Sequence, residues 1–482
     1  MLEDPIFRNL KFLFNPSSVA VIGTSENPAK LGFHVMKSLI AEDYKGEIIP
    51  INPKSIEIMG LRSFSSLAEY EGPVDLAIVV LPARLVPGIF EECINKDIKG
   101  IVLITAGFKE ADDPQGTQLQ DMLADLVNRA GIPVIGPNTF GILNLHQNLN
   151  ASFTPELSQL RKGAVALVSQ SGGISHLMAF MAMKANIPIS KVIGLGNRLN
   201  VDFAETVAYL MEDPDTRVIV LYLEGLDDPR GLMRVSRENL GKKPLIAYKS
   251  GSAEMADRIS LSHTGSMAGK SEIYEGALRQ SGILLLPTME ALLDLARALC
   301  SCPLPTGNRV GILSAQAGPG MVACDVCDQE GLQMALFSDQ TQRLIDDILP
   351  PIVHRSNPVD MGPVFSDPAS TADIIGAVLK DERVDGIILI TLFASANREV
   401  LEGLGDHLLE WKQKKPVISS LISPPGIWDE QIDFLEKAEV LKNYPTPERA
   451  AKVMAHLWQY KKLSSVNSGI EGKSNGETKG CV

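Results

Sequence analysis

Two short segments near the middle of the chain hold residue types suited to phosphate chemistry. One is Leu261-Ser262-His263-Thr264-Gly265-Ser266-Met267-Ala268-Gly269. A histidine among hydroxyl and small residues leaves room for a group on its ring, and neutral imidazole is a competent nucleophile near neutral pH. The other is Val168-Ser169-Gln170-Ser171-Gly172-Gly173-Ile174. It reads as the end of an apolar strand, a small-residue turn and a helix start. Such a turn lets main-chain N–H groups close on an anion, with the helix dipole adding favourable potential. Ser169, Gln170, Ser171, Gly172 and Gly173 are therefore candidate phosphate ligands. The turn has no lysine, which suits transient phosphate more than tight nucleotide capture. Glu224, in Leu221-Tyr222-Leu223-Glu224-Gly225, ends an apolar run. It is the carboxylate best placed to bond the second nitrogen of His263 and fix its tautomer. A lone histidine is more often structural, and tight strand-to-helix turns exist without ligands. The conjunction of the three carries the reading.

A second turn of this kind stands near the start, in SVAVIGTSENPAKLGFHVMKSL. Gly23 permits a sharp turn, Thr24 and Ser25 add hydroxyls, and Lys30 supplies charge. The dinucleotide fingerprint is incomplete, since Ser25 stands where its second glycine belongs. The next strand, GEIIPIN, ends in Asn52-Pro53-Lys54, where NAD binding calls for an acidic residue. Lysine there suits a phosphorylated ribose, as in CoA or NADP. The strand-end segments Leu81-Pro82-Ala83, Thr105-Ala106-Gly107-Phe108 and Gly136-Pro137-Asn138-Thr139 are expected to line one cleft. His34, within the first helix pattern, reads as a packed or surface residue.

The elements that must position these residues follow a simple alternation. Near-continuous apolar runs at 18–22, 74–81, 100–105, 132–135, 164–168, 191–193, 217–223, 244–248, 309–313, 386–391 and 416–421 are separated by helical patterns. Runs apolar on both faces fit parallel sheets covered by helices on each side, so the fold class is α/β. The 482 residues suggest about three domains at ~150 residues each. The polar stretch 146–163 reads as irregular, and 301–308 carries two prolines and a glycine. The expected domains are 1–150, 151–300 and 305–460, with a Ser/Gly/Asn/Lys-rich tail, 463–482, expected to be disordered.

Hydrophobic residues at 45% and charged residues at 21% describe a globular protein. A formal charge of −13 argues against nucleic acid as a partner but not against a small anion held by a local nest. The cysteines include a CxC (Cys300, Cys302) and a CxxC (Cys324, Cys327) in stretches that read as helices. No histidine cluster accompanies them, so reduced thiols and no metal are expected. The first residues lack the basic start and apolar run of a secretory signal. No apolar stretch reaches membrane-spanning length, and a cytoplasmic location is expected.

From about Asn15 to about residue 460 the chain resembles the α subunit of ADP-forming (NDP-forming) acetyl/acyl-CoA synthetases, relatives of succinyl-CoA synthetase. The resemblance is carried by 21–32, 136–141, 167–173, 196–202, 213–225 and 249–269, above all by Ser262-His263-Thr264-Gly265 after Lys249-Ser250-Gly251. It implies a Rossmann-like CoA-binding domain followed by two flavodoxin-like domains of the succinyl-CoA synthetase type. CoA would be held through Gly23, Thr24, Ser25, Lys30, Pro53, Lys54 and Pro82. His263 would be the phosphorylated histidine, Glu224 its orienting carboxylate, and 169–173 one of two helix N-termini gripping the phosphate. The other would lie in Gly311-Ile312-Leu313-Ser314-Ala315-Gln316-Ala317-Gly318-Pro319-Gly320, with Gly318 and Gly320 as ligands. Asn357-Pro358-Val359-Asp360 also matches that domain. Three departures stand out: Ala315 and Ala317 replace an asparagine and a glycine, Phe203 an acidic residue, and Thr139 a cysteine. No ATP-grasp portion follows residue 460. The nucleotide-binding part must then be a separate chain or be missing; the resemblance implies the former, an ATP-grasp β subunit holding ATP/ADP with Mg2+ in an α2β2 assembly, with CoA, phosphate and a small carboxylic acid as the small-molecule partners. The competing class is a CoA- or acyl-CoA-binding sensor or scaffold without phosphoryl transfer, and a third is an NADP-dependent reductase.

Overall fold

The computed structural model describes residues 5–41, 43–111, 113–251 and 271–466. His263 lies outside the described residues. Two compact units are present, Met1–Leu293 and Asp294–Val482.

The first unit holds two sheets. In the five-stranded one, Glu47–Ile51, Ser18–Ile22, Leu76–Val79, Gly100–Leu103 and Val134–Ile135 lie side by side, all parallel. The strands Ser18–Ile22, Leu76–Val79 and Gly100–Leu103 are buried throughout, which is why their sequences are apolar without alternation. Each fully buried Val, Ile or Leu contributes roughly 1.5–3 kcal/mol. The order reverses between Ser18–Ile22 and Leu76–Val79. Chain direction away from the sheet changes there, so a crevice opens at those strand ends.

The seven-stranded sheet runs Leu284–Leu285, Leu245–Lys249, Val218–Leu223, Lys162–Ser169, Ile189–Gly194, Gly141–Asn144, Leu149–Ser152. The first five are parallel, and the last two form an antiparallel hairpin added at the edge. The switch point falls between Lys162–Ser169 and Val218–Leu223. Leu149–Ser152 corrects the expectation of irregular chain over 146–163. Its four residues are all buried, and its polar members are satisfied locally. Asn150 Nδ2 donates to Thr154 O and Ser158 Oγ, and Ser152 Oγ donates to Asn150 Oδ1. Polarity without exposure is what made the segment read as loop.

In the second unit Gln333–Met334, Arg309–Ser314, Gly386–Leu392, Val417–Ile422 and Lys442–Asn443 form a parallel sheet, with Val359–Asp360 also pairing with Arg309–Ser314. Asn357 anchors that segment: its Oδ1 accepts from Ile312 N, and its Nδ2 donates to Val310 O and Ala335 O. Cys324 and Cys327 lie in the helix Ala317–Gln329, as expected, but Cys300 and Cys302 follow the end of Met289–Leu299. Burial raises all four of the thiols for which a shift is resolved; Cys302 and Cys327 reach about 12. These are poor thiolates at neutral pH. Pro447–Val466 carries helix into the start of the expected tail, where Ser464 and Ser465 hydroxyls donate back to Lys461 O. Residues 467–482 lie outside the described ones. Among the described residues no helix is long and apolar enough to cross a membrane.

Candidate active site

The strand Lys162–Ser169 feeds directly into the helix Gly172–Lys184 through a turn that its own hydroxyls shape. Ser169 Oγ donates to Ser171 O (2.9 Å) and accepts from Ser171 N (3.1 Å). Ser171 caps the helix, its Oγ accepting from Ile174 N at 3.5 Å. Gly172 and Gly173 occupy the first helical positions, where backbone N–H groups have no intrahelical acceptor. Among the described residues, a Cβ on Gly173 would meet nothing within 4 Å.

Gln170 spans the switch point. Its Oε1 accepts from Glu224 N and Gly225 N, both at 3.2 Å, joining the turn to the end of the neighbouring strand. Gln170 is only 4% exposed, and its Nε2 is buried without a hydrogen-bond partner among the described residues. A buried amide donor left unpaired costs roughly 1–3 kcal/mol. It fits a site that receives an acceptor-rich group such as phosphate.

The loop bearing Glu224 is held from below by Arg198. Its Nη1 donates to Gly225 O (2.8 Å) and its Nη2 to Asp227 Oδ2 (2.7 Å). Burial raises Asp202, while nearby Arg198 and the Phe203 N–H oppose that shift. Burial also pushes the Tyr222 phenol up to about 12; a bond with Ser250 opposes this, and the Glu224 carboxylate adds to it.

These groups face a cavity of ≈ 670 Å³ whose lining includes Gln170, Ser171, Gly172, Gly173 and Glu224. Strand-end loops of the five-stranded sheet supply Thr105, Ala106, Asn138 and Thr139. Asn138 N donates to Thr105 O, and Asn197 N to Pro137 O, so the loops of the two sheets are stitched together beneath it. Leu81-Pro82-Ala83 does not line it, which corrects the expectation that all three loops do; it is joined to the lining through Leu81 O, which accepts from Thr105 Oγ1.

Gly23, Thr24, Ser25, Lys30, Pro53, Lys54 and Pro82 gather instead around the switch point of the five-stranded sheet. Gly23 has φ +95°, and a Cβ there would lie 2.4 Å from Val80 O, so only glycine fits. Thr24 is buried, and its hydroxyl donates to Ile51 O rather than outward. Ser25 Oγ accepts from Asn27 N. Asn52 Nδ2 donates to Thr24 O while its Oδ1 accepts from Lys54 N, tying the two loops. Lys30, Pro53, Lys54 and Pro82 are exposed.

In the second unit the 314–320 turn repeats the plan. Ser314 Oγ donates to Gln316 O (2.6 Å) ahead of the helix Ala317–Gln329. Gly318 is open, and Gly320 packs against Ser314.

His176 had gone unnoticed in the sequence. It lines the cavity, with Nδ1 2.9 Å from Gly172 O and Nε2 2.7 Å from Thr154 Oγ1. The available signal was its position four residues after Gly172, on the same helix face.

Residues 17–144 match the family described as CoA binding domain, and 162–299 the succinyl-CoA ligase like flavodoxin domain. The chain is 37% identical over 470 residues to the α subunit of acetate–CoA ligase (ADP-forming) II of Pyrococcus furiosus, covering 96% of this chain and 100% of that one. Against the isoform I α subunit of the same organism the identity is 34%, covering 94% and 98%. A solved structure, the dinucleotide-forming acetyl-coenzyme A synthetase 1 of Ca. Korarchaeum cryptofilum in complex with phosphate and ADP, superposes with a TM-score of 0.88 at 31% identity, covering 98% of this chain and 99% of that one.

Proposed function

Because the chain belongs to the family of ADP-forming acetate–CoA ligase α subunits, we propose that it is the CoA- and phosphate-handling half of an ADP-forming acyl-CoA synthetase. The observation that carries this reading is the convergence on one cavity of the unpaired Gln170 amide, the Gly172–Gly173 helix end and Glu224, beside loops of the CoA-binding sheet. The donors suit a phosphate, and the crevice at Gly23, with Lys30 and Lys54 in its loops, suits the phosphorylated end of CoA.

In the direction that makes ATP, a phosphate oxygen attacks the thioester carbonyl of acyl-CoA. The C–S bond breaks, and the thiolate leaves with a proton from phosphate, giving acyl phosphate and CoA. An imidazole nitrogen of His263 then attacks phosphorus, and the carboxylate leaves. The phosphoryl group passes from His263 to the terminal phosphate oxygen of ADP, bound with Mg2+ on an ATP-grasp β subunit in an α2β2 assembly. Gln170 and the helix N-terminus stabilise the charge spread over the transferring group's oxygens. Glu224 bonds the far nitrogen of the imidazole and stabilises its charged form. The role of His263 rests on its sequence neighbourhood and that of 169–173 on the arrangement just described.

Incubation with ATP labelled on its terminal phosphate, in the presence of the ATP-grasp partner, is expected to yield an acid-labile, base-stable label on this chain. His263→Ala is expected to abolish it. Undiminished label in that variant would remove His263 from the relay.

A further inference from the structure

One side of the cavity at 169–173 is apolar, and phosphate has no use for it. Leu31, Ile104, Phe140, Phe153 and His176 line it. The Phe140 and His176 ring centroids are 5.2 Å apart, and those of Phe153 and His176 5.6 Å, so the half-buried rings of Phe153 and His176 are held in place by the buried Phe140. His176 is clamped at both nitrogens. A carbonyl only accepts, so Nδ1 carries the proton donated to Gly172 O, and Nε2 is engaged by Thr154 Oγ1. A ring held in this way has no free lone pair for phosphorus; what it offers a ligand is its carbon surface. The same Gly172 bond fixes the rings within one helical turn of the phosphate-gripping N–H groups.

We propose that Phe153 and His176, backed by the buried ring of Phe140, are the wall against which the acyl chain lies, and that the site favours apolar acyl groups bulkier than acetyl. This rests on the reading of the cavity as the place where phosphate meets the acyl carbonyl. A carbonyl carbon activated at the turn has its substituent within reach of the rings. Pockets of about 300–1,000 Å³ enclose ligands of drug size. On that reading the ≈ 670 Å³ here also receives the thiol end of CoA and the imidazole of His263, so the apolar lining rather than the volume argues for a larger acyl group. Each methylene laid against the wall is expected to raise kcat/KM for the acid about fourfold.

The test uses the complex with the ATP-grasp partner and four acids, acetate, butanoate, hexanoate and phenylacetate, at saturating ATP. Rates are read for the wild type, Phe153→Trp and Phe153→Ala. Phe153 is half-buried, so both variants are expected to fold. The wild type is expected to prefer hexanoate or phenylacetate over acetate by at least about tenfold. Phe153→Trp, which fills the space, is expected to cut that preference about tenfold while the KM for CoA stays put. Phe153→Ala shifts the preference toward the bulkiest acid and decides the matter if the tryptophan variant misfolds. An acid profile identical in all three proteins, or a raised KM for CoA with an unchanged acid profile, overturns the wall; the latter assigns the rings to the thiol-bearing arm of CoA. A wild-type complex that takes label from ATP yet prefers acetate to every longer acid overturns the wall alone. A complex that takes no label sinks the parent reading and the wall with it.

Discussion

The turns at 169–173 and 314–320 are built alike and finished differently. Each follows a central parallel strand, each has a serine hydroxyl donating to a carbonyl two residues on, and each sends a glutamine across to the end of the neighbouring strand. In the second unit Gln316 spends both ends of its amide on Leu392, with Nε2 donating to its O (3.3 Å) and Oε1 accepting from its N (3.1 Å). The bracket is closed. Gln170 spends only its oxygen, on two N–H groups, and keeps a buried NH2 without a partner among the described residues. Evolution of a stable turn alone has no reason to leave that donor unmatched. The difference is a donor left uncommitted at one turn and committed at the other.

The largest expected effect tests this directly. Gln170→Leu removes the spare donor and both bonds to the Glu224 loop. The kcat/KM for phosphate in the complex is expected to fall between about tenfold and a hundredfold, the size of a donor to a charged group worth about 1.5–3 kcal/mol. Gln316→Leu is expected to change it by less than about twofold, while destabilising the second unit by about 1 kcal/mol. Equal losses in the two variants would erase the distinction between the turns.

The glycines give a smaller contrast of opposite sign. A Cβ at Gly320 would lie 3.1 Å from Ser314 Cβ, whereas one at Gly173 meets nothing among the described residues. Gly320→Ala is expected to cost about 1 kcal/mol through overpacking. Gly173→Ala is expected to leave stability within about 0.5 kcal/mol, since alanine suits a first helical turn. Its methyl would stand at the cavity wall and lower phosphate use. Urea unfolding and phosphate kinetics on the two variants read both effects.

How much of this was legible beforehand follows the same physics. Strands such as Ser18–Ile22 and Val218–Leu223 announced themselves because burial on both faces demands unbroken apolar sequence. The 169–173 turn and Glu224 were legible because parallel sheets deliver strand ends to one edge. The hairpin partner Leu149–Ser152 was not, because Asn150 and Ser152 satisfy each other inside the protein and so look like loop residues. Nor was the fate of Thr24, whose hydroxyl turns inward to Ile51. Residue type shows what a side chain can bond, not which partner the fold brings to it. For the same reason Gln170 could be named as a candidate ligand, but its unpaired amide could be seen only once both strand ends were in place.

The smallest effect concerns the cap. Ser171 Oγ accepts from Ile174 N at 3.5 Å, the outer limit of a useful hydrogen bond, whereas Gln316, the N-cap of Ala317–Gln329, makes no side-chain cap bond. Replacing a capping serine by alanine commonly costs about 0.5–2 kcal/mol. Ser171→Ala is expected near the lower bound, about 0.5 kcal/mol, because the bond is long. The bonds that shape the turn use Ser171 O and N, which the substitution keeps: Ser169 Oγ and Ser175 Oγ still donate to the carbonyl. A loss above about 1.5 kcal/mol on urea unfolding would show that the hydroxyl carries the turn. The spare donor of Gln170 would then be a by-product of a differently supported junction, and the contrast with 314–320 would have to be argued from Ser171 instead.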